Sequence, residues 1–182
     1  DGATSGTVSV TVAAAAGTWT LTLPATAGEA GDVLVTDGAG ISSWVSGMRS
    51  VDVQLTNAQV LALRATPITL VASQGANRAI IVHKVYFVLD AAAGAYTETA
   101  DNLVVEYASG VDITGAIETT GWIDAAAVGV RTYGVLDTEL TPPAASAVRL
   151  FNTGDGEFGG GNVANTLSVR VWYSVVDTVA FT

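Results

Sequence analysis

The chain has 182 residues, of which 49% are hydrophobic and only 13% charged, with seventeen acidic residues against seven basic ones and a formal net charge of −10. Such a surface repels nucleic-acid phosphates and holds no basic patch, which excludes nucleic acid as a partner. Cysteine is absent, so disulfides, thiol nucleophiles and thiolate zinc sites are excluded as well.

The apolar residues are mainly Val, Ala, Leu and Ile, Thr is abundant, and twenty glycines supply turns. That is the palette of pleated, half-buried strands. So few charges point to a surface partly covered by other chains, because a charge-poor exterior on a lone monomer invites aggregation. No apolar run reaches the roughly 18 residues that span a bilayer as a helix, so no membrane partner is expected. The chain opens at Asp1 without a methionine, which reads as a trimmed or partial chain.

Period-two alternation begins at once. GTVSVTV sets Val8, Val10 and Val12 against Thr7, Ser9 and Thr11. GTWTLTLP sets Trp19, Leu21 and Leu23 against Thr18, Thr20 and Thr22, and stops at Pro24. Both read as strands with one dry and one wet face. DVLVT and ISSWV, parted by Asp37-Gly38-Ala39-Gly40, read as a hairpin that aims Val33, Val35 and Trp44 at dry contacts. Its acids lack ligand spacing, so the glycines are read as turn residues and the acids as solvated.

After residue 48 the texture changes. VDVQL alternates, and TNAQVLALR is the one credible helix, near 57–64, with Thr56 and Gln59 in capping-box spacing. Strands follow at ITLVAS, RAIIVHKVYFVLD, LVVEYA, ITGAIETT, GVRTYGVL, AVRLFNT and TLSVRVWYSVV. In the last, Leu167, Val169, Val171, Tyr173 and Val175 face one way, while Ser168, Arg170, Trp172 and Ser174 face the other. Roughly ten short strands with Gly- and Asp-rich turns, and no alternating helices, predict an all-β antiparallel sandwich of jelly-roll type.

Two regions result. Residues 1–48 form a β-stem that is too small to hold itself together without partner chains. Residues 49–182 form the sandwich. Large apolar side chains dominate interface cores, so Val8, Val10, Val12, Trp19, Leu21, Leu23, Val33, Val35 and Trp44 are the expected contacts between copies of the chain.

Candidates for chemistry are sparse. His83 is the only histidine and is expected on the apolar face shared by Ile81, Val85, Phe87 and Leu89, as a core or interface residue. Asp101, Glu106 and Glu118 could act as paired carboxylates on a glycoside, but carboxylates on a sandwich are more often solvated. In NTGDGEFGGGN, Asp155, Glu157 and Asn162 are candidate calcium ligands, although the spacing is not that of an EF-hand loop and a flexible turn is the simpler reading. No catalytic residue is assigned, and neither cofactor nor resident metal is expected. Trp122 is placed at the core or its rim, and Trp172 is exposed to a neighbouring chain or a glycan.

The segment TLTLPATAGEAGDVLVTDGAGISSWVS resembles one recurrent in bacteriophage fibre and appendage proteins, where a TLxLP strand precedes a GxVLxTDGxGxxSWV hairpin. The matching positions are Leu21, Leu23, Pro24, Gly31, Val33, Leu34, Thr36, Asp37, Gly38, Gly40, Ser43, Trp44 and Val45. The rest of the chain resembles phage virion proteins more loosely, in the order of its elements. The resemblance implies a β-rich, typically trimeric and non-enzymatic component of the virion, such as a capsid decoration protein, head fibre or tail fibre. It implies other virion proteins, capsid or tail subunits, as partners. A glycan-binding tip is the alternative, with loops around Tyr96, Asp101 and Asn152–Asn162 gripping host-surface sugars. A carbohydrate-acting enzyme is a remote third.

Overall fold

The computed structural model describes residues 20–28, 31–98, 102–135 and 140–179. Its contacts divide the chain into two units, Asp1–Val45 and Ser46–Thr182. Val8, Val10, Val12 and Trp19 lie outside the described residues, as does Asp101.

The first unit is built on a hairpin of β1 (Asp32–Thr36) and β2 (Ser42–Ser46), whose last residue crosses into the second unit. Asp37 sets the turn: its Oδ1 accepts the backbone N–H of Ala39 at 2.7 Å and of Ile41 at 3.1 Å. Gly38 and Gly40 have φ of 82° and 97°, the left-handed region where side chains are costly. The preceding segment joins through one parallel bridge, Thr22 to Ile41. Thr22 donates to the Gly40 carbonyl at 2.7 Å and accepts from the Ser42 N–H at 2.9 Å.

The second unit is an all-β sandwich whose strand pairs are antiparallel. One sheet runs β3 (Arg49–Thr56), β12 (Thr166–Asp177), β5 (Arg78–Asp90), β9 (Val128–Gly134). The other runs β4 (Ile68–Val71), β10 (Val148–Asn152), β7 (Asn102–Tyr107), β8 (Ile117–Glu118). A short pair, β6 (Tyr96–Thr97) with β11 (Gly159–Gly160), lies apart from both. The inner faces close one core in which Leu55, Phe87, Leu89, Leu167 and Val169 of the first sheet meet Leu103, Val105, Tyr107, Val148 and Leu150 of the second. Tyr107 ties the sheets with a bond from its buried hydroxyl to the Ile80 carbonyl, at 2.6 Å. Trp122 is core, set edge-on to Phe87 at a centroid distance of 5.9 Å.

The helix is shorter than the sequence predicts. Helix α1 covers Asn57–Val60, with both bonds of the Thr56–Gln59 capping box in place. Beyond it the chain tightens, with Ala62 donating to Gln59 and Leu63 to Val60. The Glu157 carboxylate then accepts the backbone N–H groups of Arg64 at 2.9 Å and Ala65 at 2.7 Å, taking donors out of helical pairing. No helix of the described residues is long and apolar enough to cross a membrane.

His83 departs from expectation. It is exposed, and Ile81 is only partly buried. The register on β12 slips between Trp172, opposite Lys84, and Tyr173, opposite Val82. His83 is therefore the extra residue of a β-bulge, which reverses the inward-outward parity of the strand's first half. Ile80 and Val82 turn inward before the bulge, and Val85, Phe87 and Leu89 after it.

Candidate functional site

Two surfaces stand out, one in each unit. In the first, the hairpin and the segment before it expose Leu21, Leu23, Val33, Leu34, Val35, Ile41 and Val45. A strand points successive side chains to opposite faces, so a ribbon exposing Val33, Leu34 and Val35 in a row is apolar on both. Trp44 is half-buried within its own unit. Its indole N–H donates to the Thr26 carbonyl at 2.7 Å, and its ring packs so closely on Gly28 that a Cβ there would lie 2.7 Å from it. Trp44 thus offers a partner only part of its ring.

In the second unit, the outer face of the β3-β12-β5-β9 sheet forms an open depression of about 630 Å³. Strand register sets its floor in rows. Asp52 of β3, Arg170 of β12 and Tyr86 of β5 stand side by side. Trp172 lies beside Lys84 in one flanking row, and Gln54, Ser168, Val88 and Val130 cross the sheet in the other.

Arg170 grips Asp52 bidentately, Nε to Oδ1 at 2.5 Å and Nη2 to Oδ2 at 2.6 Å. The hydrogen bond from Arg170 holds the Asp52 carboxyl below the usual carboxylate range, and the same bond raises Arg170. Both side chains are more than half exposed, so the pair contributes little to stability and mainly fixes geometry. Gln54 Nε2 donates to Ser168 Oγ at 3.3 Å, and Lys84 Nζ sits 4.6 Å from the Tyr86 ring centroid. Trp172 and Val88 are 37% and 41% exposed, so this face is aromatic and apolar around a charged centre.

The carboxylates considered for hydrolysis do not converge. Glu106 is buried and paired with Arg149 at 2.6 Å. Glu118 stands opposite Asn102, four residues along β7 from Glu106. At about 3.3 Å per residue those backbone positions are about 13 Å apart, beyond the ~5–9.5 Å of glycosidase carboxylate pairs. Hydrogen bonds from the Thr120 backbone and side chain lower the Glu118 carboxyl, so it is charged near neutral pH. His83 Nε2 lies 2.9 Å from Ser174 Oγ on the exposed sheet surface.

The glycine-rich acidic loop is bound up with its own architecture. Asn152 accepts the Gly154 N–H at 2.9 Å and donates to the Gly156 carbonyl at 3.0 Å. Asn162 Oδ1 accepts from the Ala164 N–H at 2.9 Å, and Glu157 holds the turn after α1. Among the described residues no three acidic or histidine side chains group as metal ligands, Asp155 included. Of the loop residues considered for sugar contact, Tyr96 and Asn152 are buried, and burial raises the Tyr96 hydroxyl's pKa.

No family model matches the chain, and neither does any curated protein. Among solved structures, a chain from the capsid asymmetric unit of cyanophage Pam1 is similar with a TM-score of 0.43 and 16% identity, covering 71% of this chain and 85% of that one. A chain from the capsid of Ralstonia phage GP4 is similar with a TM-score of 0.40 and 17% identity, covering 77% and 88%.

The Asp52–Arg170–Tyr86 row escaped the sequence reading, which placed Arg170 and Trp172 on the wet face without their neighbours. Alternation announces which side chains point outward, but not that β3 pairs with β12 across more than a hundred residues.

Proposed function

We propose that the chain is a structural surface component of a bacteriophage virion, acting by assembly with copies of itself, as a trimer, and with other virion proteins. The supporting observation is the apolar ribbon of the first unit. A two-stranded hairpin is marginal in water by itself, and this one exposes Val33, Leu34, Val35, Ile41 and Val45, with Leu21 and Leu23 exposed on the segment before it. Patches of that kind mark interaction sites. The ribbon is also the segment that resembles phage appendage proteins, and its acidic turn serves the backbone through Asp37. The function is non-enzymatic, resting on packing between chains. Immunogold labelling of purified particles with an antibody to the full chain is expected to decorate the outer surface of capsid or tail. Particles that lack the protein by mass spectrometry would contradict the proposal.

A further inference from the structure

We propose that the outer face of the β3-β12-β5-β9 sheet is a saccharide-binding site, with Trp172 as the stacking platform and Asp52, Arg170, Gln54 and Ser168 as the hydroxyl-binding groups. The site lies in the second unit and does not depend on assembly through the first.

Three observations choose this occupant. Trp172 is exposed on the rim of a depression that Tyr86, one row away, and Val88, two rows away, also line. An aromatic face carries partial negative charge and receives the slightly positive C–H groups of a pyranose ring. The Asp52–Arg170 pair is held bidentate on the floor of the same depression. It uses two of the guanidinium's five N–H donors, leaving donors and carboxylate lone pairs at fixed positions for adjacent hydroxyls. The depression, about 630 Å³, is in the ~300–1,000 Å³ range of small-ligand sites, where a few placed polar groups sit in a largely apolar lining.

The charged centre also disfavours a flat apolar partner. Covering Asp52 and Arg170 with another protein's hydrophobic face would strip both of water with nothing in return. A polyol replaces that water hydrogen bond for hydrogen bond. Asp52 cancels Arg170, and Lys84 beside them leaves the face neutral to slightly positive on a chain of net charge −10. Uncharged and acidic sugars are therefore both admitted.

The full chain should be tested on an array printed with bacterial O-antigen, capsular and teichoic-acid glycans, with hits quantified by titration calorimetry. Binding to at least one glycan is expected, weakened at least tenfold by Trp172→Ala and by Asp52→Asn. Val163→Thr, on an exposed residue outside the site, should leave it unchanged. Every substituted side chain is exposed, and circular dichroism will verify that each variant is folded. A blank array would overturn the proposal, as would binding indifferent to Trp172→Ala. So would a change in oligomeric mass without a change in glycan binding, which would make this face an interface between proteins.

Discussion

Tyr107 offers a quantitative test of how the two sheets are joined. Its ring is fully buried and its hydroxyl donates to the Ile80 carbonyl of the opposite sheet at 2.6 Å. Tyr107→Phe keeps the ring and removes the donor. A neutral hydrogen bond contributes about 0.5–1.5 kcal/mol net, and leaving a buried acceptor short of a partner costs about 1–3 kcal/mol, so a loss of about 1–3 kcal/mol is expected. For a protein of this size that lowers Tm by about 3–10 °C. Burial also pushes the Tyr107 hydroxyl up to about 12, from the ordinary 10.0. Because the folded value is the higher one, its stabilising contribution is fully present below pH 10 and is lost as pH rises through 12. Two pH units correspond to about 2.7 kcal/mol. Guanidinium unfolding followed by fluorescence at pH 8, 10 and 11.5 should show wild type more stable than Tyr107→Phe at pH 8, with the gap closing above pH 10. A gap that stays constant across that range, or none at pH 8, would refute the reasoning.

Further outcomes follow from single contacts. Glu157→Ala should lower the Tm of the sandwich by several degrees, since charge-assisted bonds of this type contribute about 1.5–3 kcal/mol before solvent screening. Calcium or EDTA should leave the wild-type Tm unmoved, read by differential scanning fluorimetry; a calcium-dependent rise would return Glu157 to the role of metal ligand. Gly28→Ala places a Cβ against the Trp44 ring at φ +72°, a conformation costing about 1–3 kcal/mol for a side chain. It should shift Trp44 emission to the red, judged against Trp44→Phe, while the sandwich unfolds at its usual temperature.

The fold was legible where one rule dominated. Alternation in TLSVRVWYSVV gives the inward set Leu167, Val169, Val171, Tyr173 and Val175 and leaves Trp172 outside; the four aliphatic residues are buried, and Tyr173 packs on the core only partly buried. The Thr56–Gln59 capping box is legible because a cap is a local contact. The turn after the helix was hidden, because Glu157, which accepts the Arg64 and Ala65 N–H groups there, lies more than ninety residues away. His83 was misplaced for a similar reason, since the bulge is defined only against β12. The outer-face site shares that limit: its residue types could be read, but the Asp52–Arg170 contact exists only once β3 pairs with β12.

The central claim, assembly through the first unit's ribbon, is tested most directly by the mass of the full chain in solution. Sedimentation velocity on wild type and on the Val33→Asp/Val35→Asp double variant would measure it. The account predicts a wild-type species of three times the 18.4 kDa chain mass, and a shift to monomer in the variant with the sandwich still folded. A wild-type monomer at all concentrations, or a trimer indifferent to both substitutions, would contradict it.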